Sequence, residues 1–186
     1  MRVISGKLKG KKISFINSST TRPLRDYVKE NIFNVLLHHN DQNLSLVNSN
    51  ILDLYAGVGS FGIECLSRNV KSVVFIEKDP LAFSILKKNI LNLKLTKKAK
   101  LFSQDTKDYL KNFGEGDKFD FIFLDPPYKD DSYIEIINLI KKKKIFNENH
   151  QVIIHRERKC EEELNKVLKI NSIRNYGRSK IIFGSF

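Results

Sequence analysis

Asp125-Pro126-Pro127-Tyr128 follows an apolar run, Phe119 to Leu124, broken only by Asp120, that reads as a buried strand. An acid, two prolines and an aromatic ring at a strand's end suit the methylation of an exocyclic amino group on a planar base. Such a nitrogen is a poor nucleophile, because its lone pair is delocalised into the ring. Two acceptors that bind its hydrogens draw the lone pair out of conjugation and aim it at a methyl group. Asp125 supplies a carboxylate and the Pro126 carbonyl a second acceptor, Pro127 stiffens the turn, and Tyr128 offers a face for the base to stack on. The same four residues could also merely end a strand, with Tyr128 packing locally. Their neighbours in the chain favour the chemical reading.

Gly57-Val58-Gly59-Ser60-Phe61-Gly62 matches G-x-G-x-x-G. It joins a predicted strand, Ile51 to Tyr55, to a predicted helix, Phe61 to Leu66. Glycines there allow a tight turn and let a ligand approach the backbone. Glu77 closes the next predicted strand, Ser72 to Glu77, about 20 residues after the first glycine, where an acid accepts hydrogen bonds from ribose hydroxyls. A nicotinamide dinucleotide would satisfy this much. Asp53, at the mouth of the turn, argues against it, since a carboxylate beside a pyrophosphate opposes the positive helix end. Asp53 suits the ammonium and sulfonium of S-adenosylmethionine. Asp105 follows a weaker predicted strand, Lys100 to Gln104, where the adenine amino group of that cofactor would lie; an Asp at such a junction equally caps a helix. The expected catalytic residues are therefore Asp125, Pro126 and Tyr128, and the expected cofactor residues Asp53, Gly57, Gly59, Glu77 and Asp105. No metal is expected: His38, His39, His150 and His155 lack partners at ligand spacing, and Cys65 and Cys160 form no cluster.

Holding these groups at one end requires a sheet. A fifth strand is expected at Gln151 to His155, and an edge strand at Ile181-Ile182-Phe183. Pro80 opens a helix that places Phe83, Leu86, Ile90 and Leu93 on one face, with Lys87 and Lys88 outside. Tyr133, Ile136, Ile137 and Ile140 make another helical stripe. Alternating strands and helices with near-continuous apolar strands predict an α/β fold, a mostly parallel sheet covered on both faces. The first 48 residues differ. Arg2 to Ile16 reads as a hairpin or bent ribbon presenting Lys7, Lys9, Lys11 and Lys12. Thr20 to Pro23 reads as a loop before a helix whose apolar face is Val28, Ile32, Val35 and Leu36. The polar stretch Asp41 to Asn50 marks a soft boundary between an extension, 1–48, and a main domain, 49–186.

The chain has 186 residues, 41% hydrophobic and 29% charged, which gives room for one full domain and excludes wholesale disorder. No apolar run approaches the ~20 residues of a membrane helix. The residues after Met1 carry no secretory pattern, and two cysteines make no disulfide framework, so a reducing cytoplasm is expected. Lys and Arg total 33 against 21 acids, a net charge of +12. That excess points to a polyanion, nucleic acid or an anionic membrane, although abundant Lys, Asn and Ile also fit an AT-rich coding bias. Lys141 to Lys144 serve either a helix end or RNA. Arg22 and Arg25 either bind phosphate or pair with Asp26 or Glu30.

Asp125 to Tyr128 resembles the motif of amino-methyltransferases, and the rest of the chain resembles one family. Arg2 to Ile13, Arg22-Pro23, Asp26 to Asn34, Asp53 to Arg68, Glu77 to Asp79 and Tyr176-Gly177 are similar to the RsmD family. The resemblance implies a Rossmann-like class I methyltransferase with a seven-stranded sheet and an N-terminal hairpin and helix beside an RNA cleft. It implies S-adenosylmethionine as cofactor and transfer to N2 of one guanine in 16S ribosomal RNA, at position 966. The implied partner is the small ribosomal subunit or its assembly intermediate, met by a monomer. Two departures stand out: Leu24 and Arg25 replace threonines, removing a capping hydroxyl, and Asn69 replaces a glycine. An adenine-N6 or DNA amino-methyltransferase, or a non-catalytic RNA-binding assembly factor, are the alternatives.

Overall fold

Strands that are apolar on both sides stay dry only when flanked by other strands and covered by helices on both faces. A computed structural model describes residues 1–15, 24–37, 44–114, 116–127, 130, 132–160 and 164–186. Tyr128, Arg22, His38, His39 and 161–163 lie outside them. Among the described residues the strands are β1 (Asn50–Leu54), β2 (Ser72–Glu77), β3 (Ala99–Ser103), β4 (Phe119–Leu124), β5 (Phe146–Glu157), β6 (Lys169–Tyr176) and β7 (Ser179–Ser185). They form one sheet in the order β3-β2-β1-β4-β5-β7-β6. The first five run parallel, and β7 lies antiparallel to both β5 and β6. The helices are α1 (Asp26–Leu37), α2 (Ser60–Ser67), α3 (Pro80–Asn92), α4 (Thr106–Lys111) and α5 (Tyr133–Lys143).

Strand parity sorts the core. Ile51, Val73, Phe75, Phe121, Phe123, Ile153 and Ile181 face α1, α2 and α3; Leu52, Leu54, Val74, Ile76, Ile122, Val152 and Ile154 face α4 and α5. Asp120, the polar residue in β4, accepts the Asn50 N–H at 2.7 Å and the Asn147 side-chain N–H at 2.7 Å, tying the starts of β1 and β5 to β4. No described helix is long and apolar enough to cross a membrane.

Two strand expectations need correction. Ile181-Ile182-Phe183 belongs to β7, which lies between β5 and β6 and is buried there; the edge on that side is β6. β6 carries no apolar run to announce it, because its residues are mostly polar and exposed, as suits a strand with one unpaired side. β5 also begins at Phe146, before the apolar run at Gln151.

The N-terminal segment is the expected bent ribbon. Val3 donates to the Lys11 carbonyl (2.9 Å), Gly10 to Val3 (2.9 Å) and Ile13 to Met1 (3.1 Å). Its four lysines, Lys7, Lys9, Lys11 and Lys12, are exposed, while Val3 and Ile13 are buried in the same core as α1, α2 and α3. Leu24, one of the two departures, is buried in that core too. Asp26 supplies the acid favoured in a helix's first turn and pairs with Arg2 (3.6 Å) and Lys29 (4.0 Å), so α1 starts without the threonine hydroxyl. Asn69 takes φ 68, the left-handed conformation that usually calls for glycine at a helix end.

Candidate active site

The chain runs outward from β1 to β2 and β3, then returns to the other side of β1 as β4. The crevice outside the ends of β1 and β4 is therefore the topological switch point, where open α/β sheets bind ligands. The glycine turn leaves β1 on one side of the crevice, and Asp125-Pro126-Pro127 leaves β4 on the other. The two are joined where the Asp125 N–H donates to the Leu54 carbonyl at 3.5 Å.

The turn is drawn tight from below. Tyr55 adopts φ 62, a left-handed conformation costly for a side chain this large, and the Ala56 N–H reaches the Ile76 carbonyl at 2.9 Å. Gly57, at φ 56, faces outward: a side chain there would project into open space, so a ligand can reach the bare backbone. Gly59, at φ 89, faces inward, where a Cβ would stand 2.5 Å from Leu86 of α3. Gly62 lets α2 approach the sheet, since a Cβ would lie 2.2 Å from the Phe75 ring. Below the turn, Phe61 stacks on Phe123 with ring centroids 4.0 Å apart.

Four carboxylates gather at this end of a chain whose net charge is +12. Asp53 is only 1% exposed and accepts the Gly62 N–H at 3.0 Å. It thus sits beneath the turn and not at its mouth, because odd-numbered positions of β1 point into the α1–α3 face. Burial pushes its carboxyl well above the usual range, opposed by the Gly62 hydrogen bond and reinforced by Asp125 and Glu77. Glu77 accepts from Gly57 (2.6 Å) and Asp79 (2.7 Å), and burial raises its carboxyl too. Asp105 caps α4, accepting the Lys107 N–H at 2.8 Å, while its other oxygen lies 3.4 Å from the Lys78 ammonium. Glu77 against the outward-facing Gly57, Asp105 just past the end of β3 and Asp53 beneath the turn give this end of the sheet the acceptors and negative groups that a cationic nucleoside ligand needs.

Asp125 continues β4 on the α1–α3 face. Pro126 is buried and Pro127 exposed. The Pro127 carbonyl receives the Asp130 N–H (2.9 Å) and Arg156 Nη1 (3.0 Å). Arg156 is 1% exposed and lies 4.3 Å over the Tyr133 ring, so a buried cation of β5 braces the proline turn from the opposite face. His155, the preceding residue, faces Asp125. Neither residue stands out in the sequence; the available signal was two basic residues ending an apolar strand. Lys143, from the run 141–144 that ends α5, donates to the Lys111 and Phe113 carbonyls at the end of the neighbouring α4.

Residues 1–185 match the family described as Conserved hypothetical protein 95. The chain is 35% identical to Bacillus subtilis YlbH over 162 residues, 87% of this chain and 85% of that protein. It is 35% identical to the Haemophilus influenzae protein named ribosomal RNA small subunit methyltransferase D, over 85% of this chain and 79% of that one. Among solved structures, Escherichia coli yhhF superposes with a TM-score of 0.81 at 25% identity, covering 99% of this chain and 96% of the other.

Proposed function

Since the chain belongs to the RsmD family of class I methyltransferases, we propose that it transfers a methyl group from S-adenosylmethionine to N2 of a guanine in 16S ribosomal RNA, on the small subunit or its assembly intermediate. The observation that carries this reading is the pairing, across the β1/β4 switch point, of an acid-ringed glycine turn with Asp125-Pro126-Pro127. S-adenosylmethionine, when bound, would supply a methyl group made electrophilic by its sulfonium. Gly57 and Gly59 shape the turn beside it, Glu77 meets the ribose, Asp105 meets the adenine, and Asp53 contributes negative charge beneath the turn.

The protein's part is chiefly orientation and exclusion of water. Asp125 and the Pro126 carbonyl accept the two amine hydrogens, which localises the nitrogen lone pair toward the methyl. The proton lost from the amine leaves toward Asp125. Tyr128 stacks the base, which must leave its own stack to bring its amine to Asp125. Residues 1–48 form the RNA-side extension and 49–186 the transfer domain, acting as a monomer in the cytoplasm.

Undermethylated small subunits, naked ribosomal RNA and DNA are offered labelled S-adenosylmethionine, and the products are resolved as nucleosides. Label in N2-methylguanosine from the subunit sample is expected. Label in N6-methyladenine would overturn the substrate while keeping the chemistry, and absence of both label and cofactor binding would favour a non-catalytic assembly factor. Asp125→Ala is expected to abolish transfer with cofactor affinity held within a few-fold; strong residual activity would remove Asp125 from its role.

A further inference from the structure

Asp125 shares the end of the sheet with an imidazole. The register of β4 against β5 pairs Leu124 with Ile154, so the next residues along, Asp125 and His155, stand side by side. Both belong to the odd-numbered set that faces α1–α3. His155 Nδ1 lies 2.8 Å from Asp125 Oδ1. A carboxylate only accepts, so Nδ1 carries the hydrogen and donates it. The His155 side chain is 9% exposed and that of Asp125 is 23% exposed, so the imidazole is enclosed and the carboxylate forms the lip of the crevice.

The terminal torsion of an aspartate is broad and roughly two-fold, so an untethered carboxylate turns freely. A carboxylate with one oxygen tied from behind does not. We infer that His155 is a positioning residue whose Nδ1–H holds Asp125 Oδ1 and thereby aims Oδ2 at the target amine. This rests on the reading of Asp125 as the acceptor of that amine. Misplacing a reacting group by about 1 Å can cost ~100-fold in rate, so a tether of this kind acts on turnover and not on binding.

Three variants of the full chain separate the possibilities, assayed on undermethylated small subunits with saturating S-adenosylmethionine. His155→Phe keeps a ring and removes the donor; His155→Asn places a side-chain N–H close to where Nδ1 stood; Asp125→Ala removes the group being held. His155→Phe is expected to lower kcat ~100-fold with KM for the small subunit and Tm little changed, and His155→Asn to recover most of the loss. Equal losses in His155→Phe and His155→Asn, accompanied by a fall in Tm, would assign His155 a purely structural role and overturn the inference. Wild-type turnover in His155→Phe beside an inactive Asp125→Ala would overturn the tether and leave Asp125 in place. An active Asp125→Ala would instead overturn the reading on which the tether rests.

Nitrogen-15 spectra of the folded wild-type protein give a readout independent of activity. They should show the His155 hydrogen on Nδ1, with the Nδ1 signal shifted in Asp125→Ala. A neutral imidazole protonated only at Nε2 would overturn the proposal, even if His155→Phe failed to fold.

Discussion

At the scale of single residues, two of the acids proposed to hold the cofactor, Asp53 and Glu77, pay for their placement in desolvation. Asp53 is the clearest case. Its folded carboxyl titrates well above the ordinary 3.8, chiefly because burial disfavours the charge. The stability this raised value represents is fully present below the unfolded pKa and is lost as pH rises through the folded one. Asp53→Asn keeps an oxygen for the Gly62 N–H and removes the charge. The variant should therefore melt higher than the parent at pH 7, by about 2–4 °C for each kcal/mol relieved, with the gain shrinking toward pH 4. It should also bind S-adenosylmethionine more weakly. Thermal melts at both pH values and a cofactor titration check this, and an equal gain at both would contradict the assignment to the charge.

At the scale of elements, the ribbon is fastened by buried polar groups where an apolar patch alone would leave it free to slide. Glu64 of α2, with a side chain 0% exposed, accepts the Ile4 N–H (2.8 Å), the Ser5 N–H (2.9 Å) and Arg68 Nε (3.0 Å). It also faces Lys29 of α1 at 3.7 Å, whose ammonium is itself buried and donates to the Arg2 carbonyl at 2.9 Å. Asn89 of α3 fastens the other end, accepting the Ser14 N–H and donating to the Ser14 and Val58 carbonyls. Glu64→Ala would leave Lys29 as a buried cation with only the half-exposed Asp26 at 4.0 Å for a counter-charge, so a loss of about 3–5 kcal/mol is expected in denaturant unfolding. A loss below about 1 kcal/mol would mean that Val3, Ile13 and the Asn89 fastening hold the ribbon without help from Glu64. The C-terminus has its own fastening. His150 accepts the Phe186 N–H at Nε2 (2.9 Å), with Nδ1 against the Asn147 carbonyl (2.9 Å), and burial holds its pKa below 6.5. A lowered folded value means that the unfolded chain takes up protons first, so stability falls as pH drops through 6.5 toward the folded value. Melts from pH 7.5 to 5 should show that slope reduced in His150→Phe, which keeps the ring beside Phe146 and Phe186.

At the scale of the molecule, charge is divided. The crevice concentrates Asp53, Glu77, Asp105 and Asp125, while the ribbon presents Lys7, Lys9, Lys11 and Lys12 to solvent. Such a division lets one surface attract a polyanion while the site itself favours a cation. Replacing the four lysines with alanine should weaken binding to ribosomal RNA and flatten its salt dependence, by about 0.7–0.9 in slope for each phosphate no longer neutralised. Cofactor affinity should be unchanged. Filter-binding titrations across salt concentrations decide it, and an unaltered slope would move the RNA surface elsewhere. Arg25, Arg174 and Arg178 are exposed and next in line.

The amino-acid order alone determined the alternation of strands and helices, the glycine turn, the proline turn and the acids around them. Each is a local property: hydrophobic period, backbone freedom, or charge type at a strand's end. Register and strand order are not local, and only the tertiary structure decided them. Parity sent Asp53 under the turn, where a linear reading had placed it at the mouth. Pairing between β4 and β5, distant in the chain, brought His155 to Asp125 and Arg156 to the Pro127 carbonyl. The same long-range pairing put β7 inside the sheet and left polar β6 at its edge. Glu64 and Lys29 look like surface charges on two helices until those helices meet around a ribbon, because burial depends on what the rest of the chain packs against them.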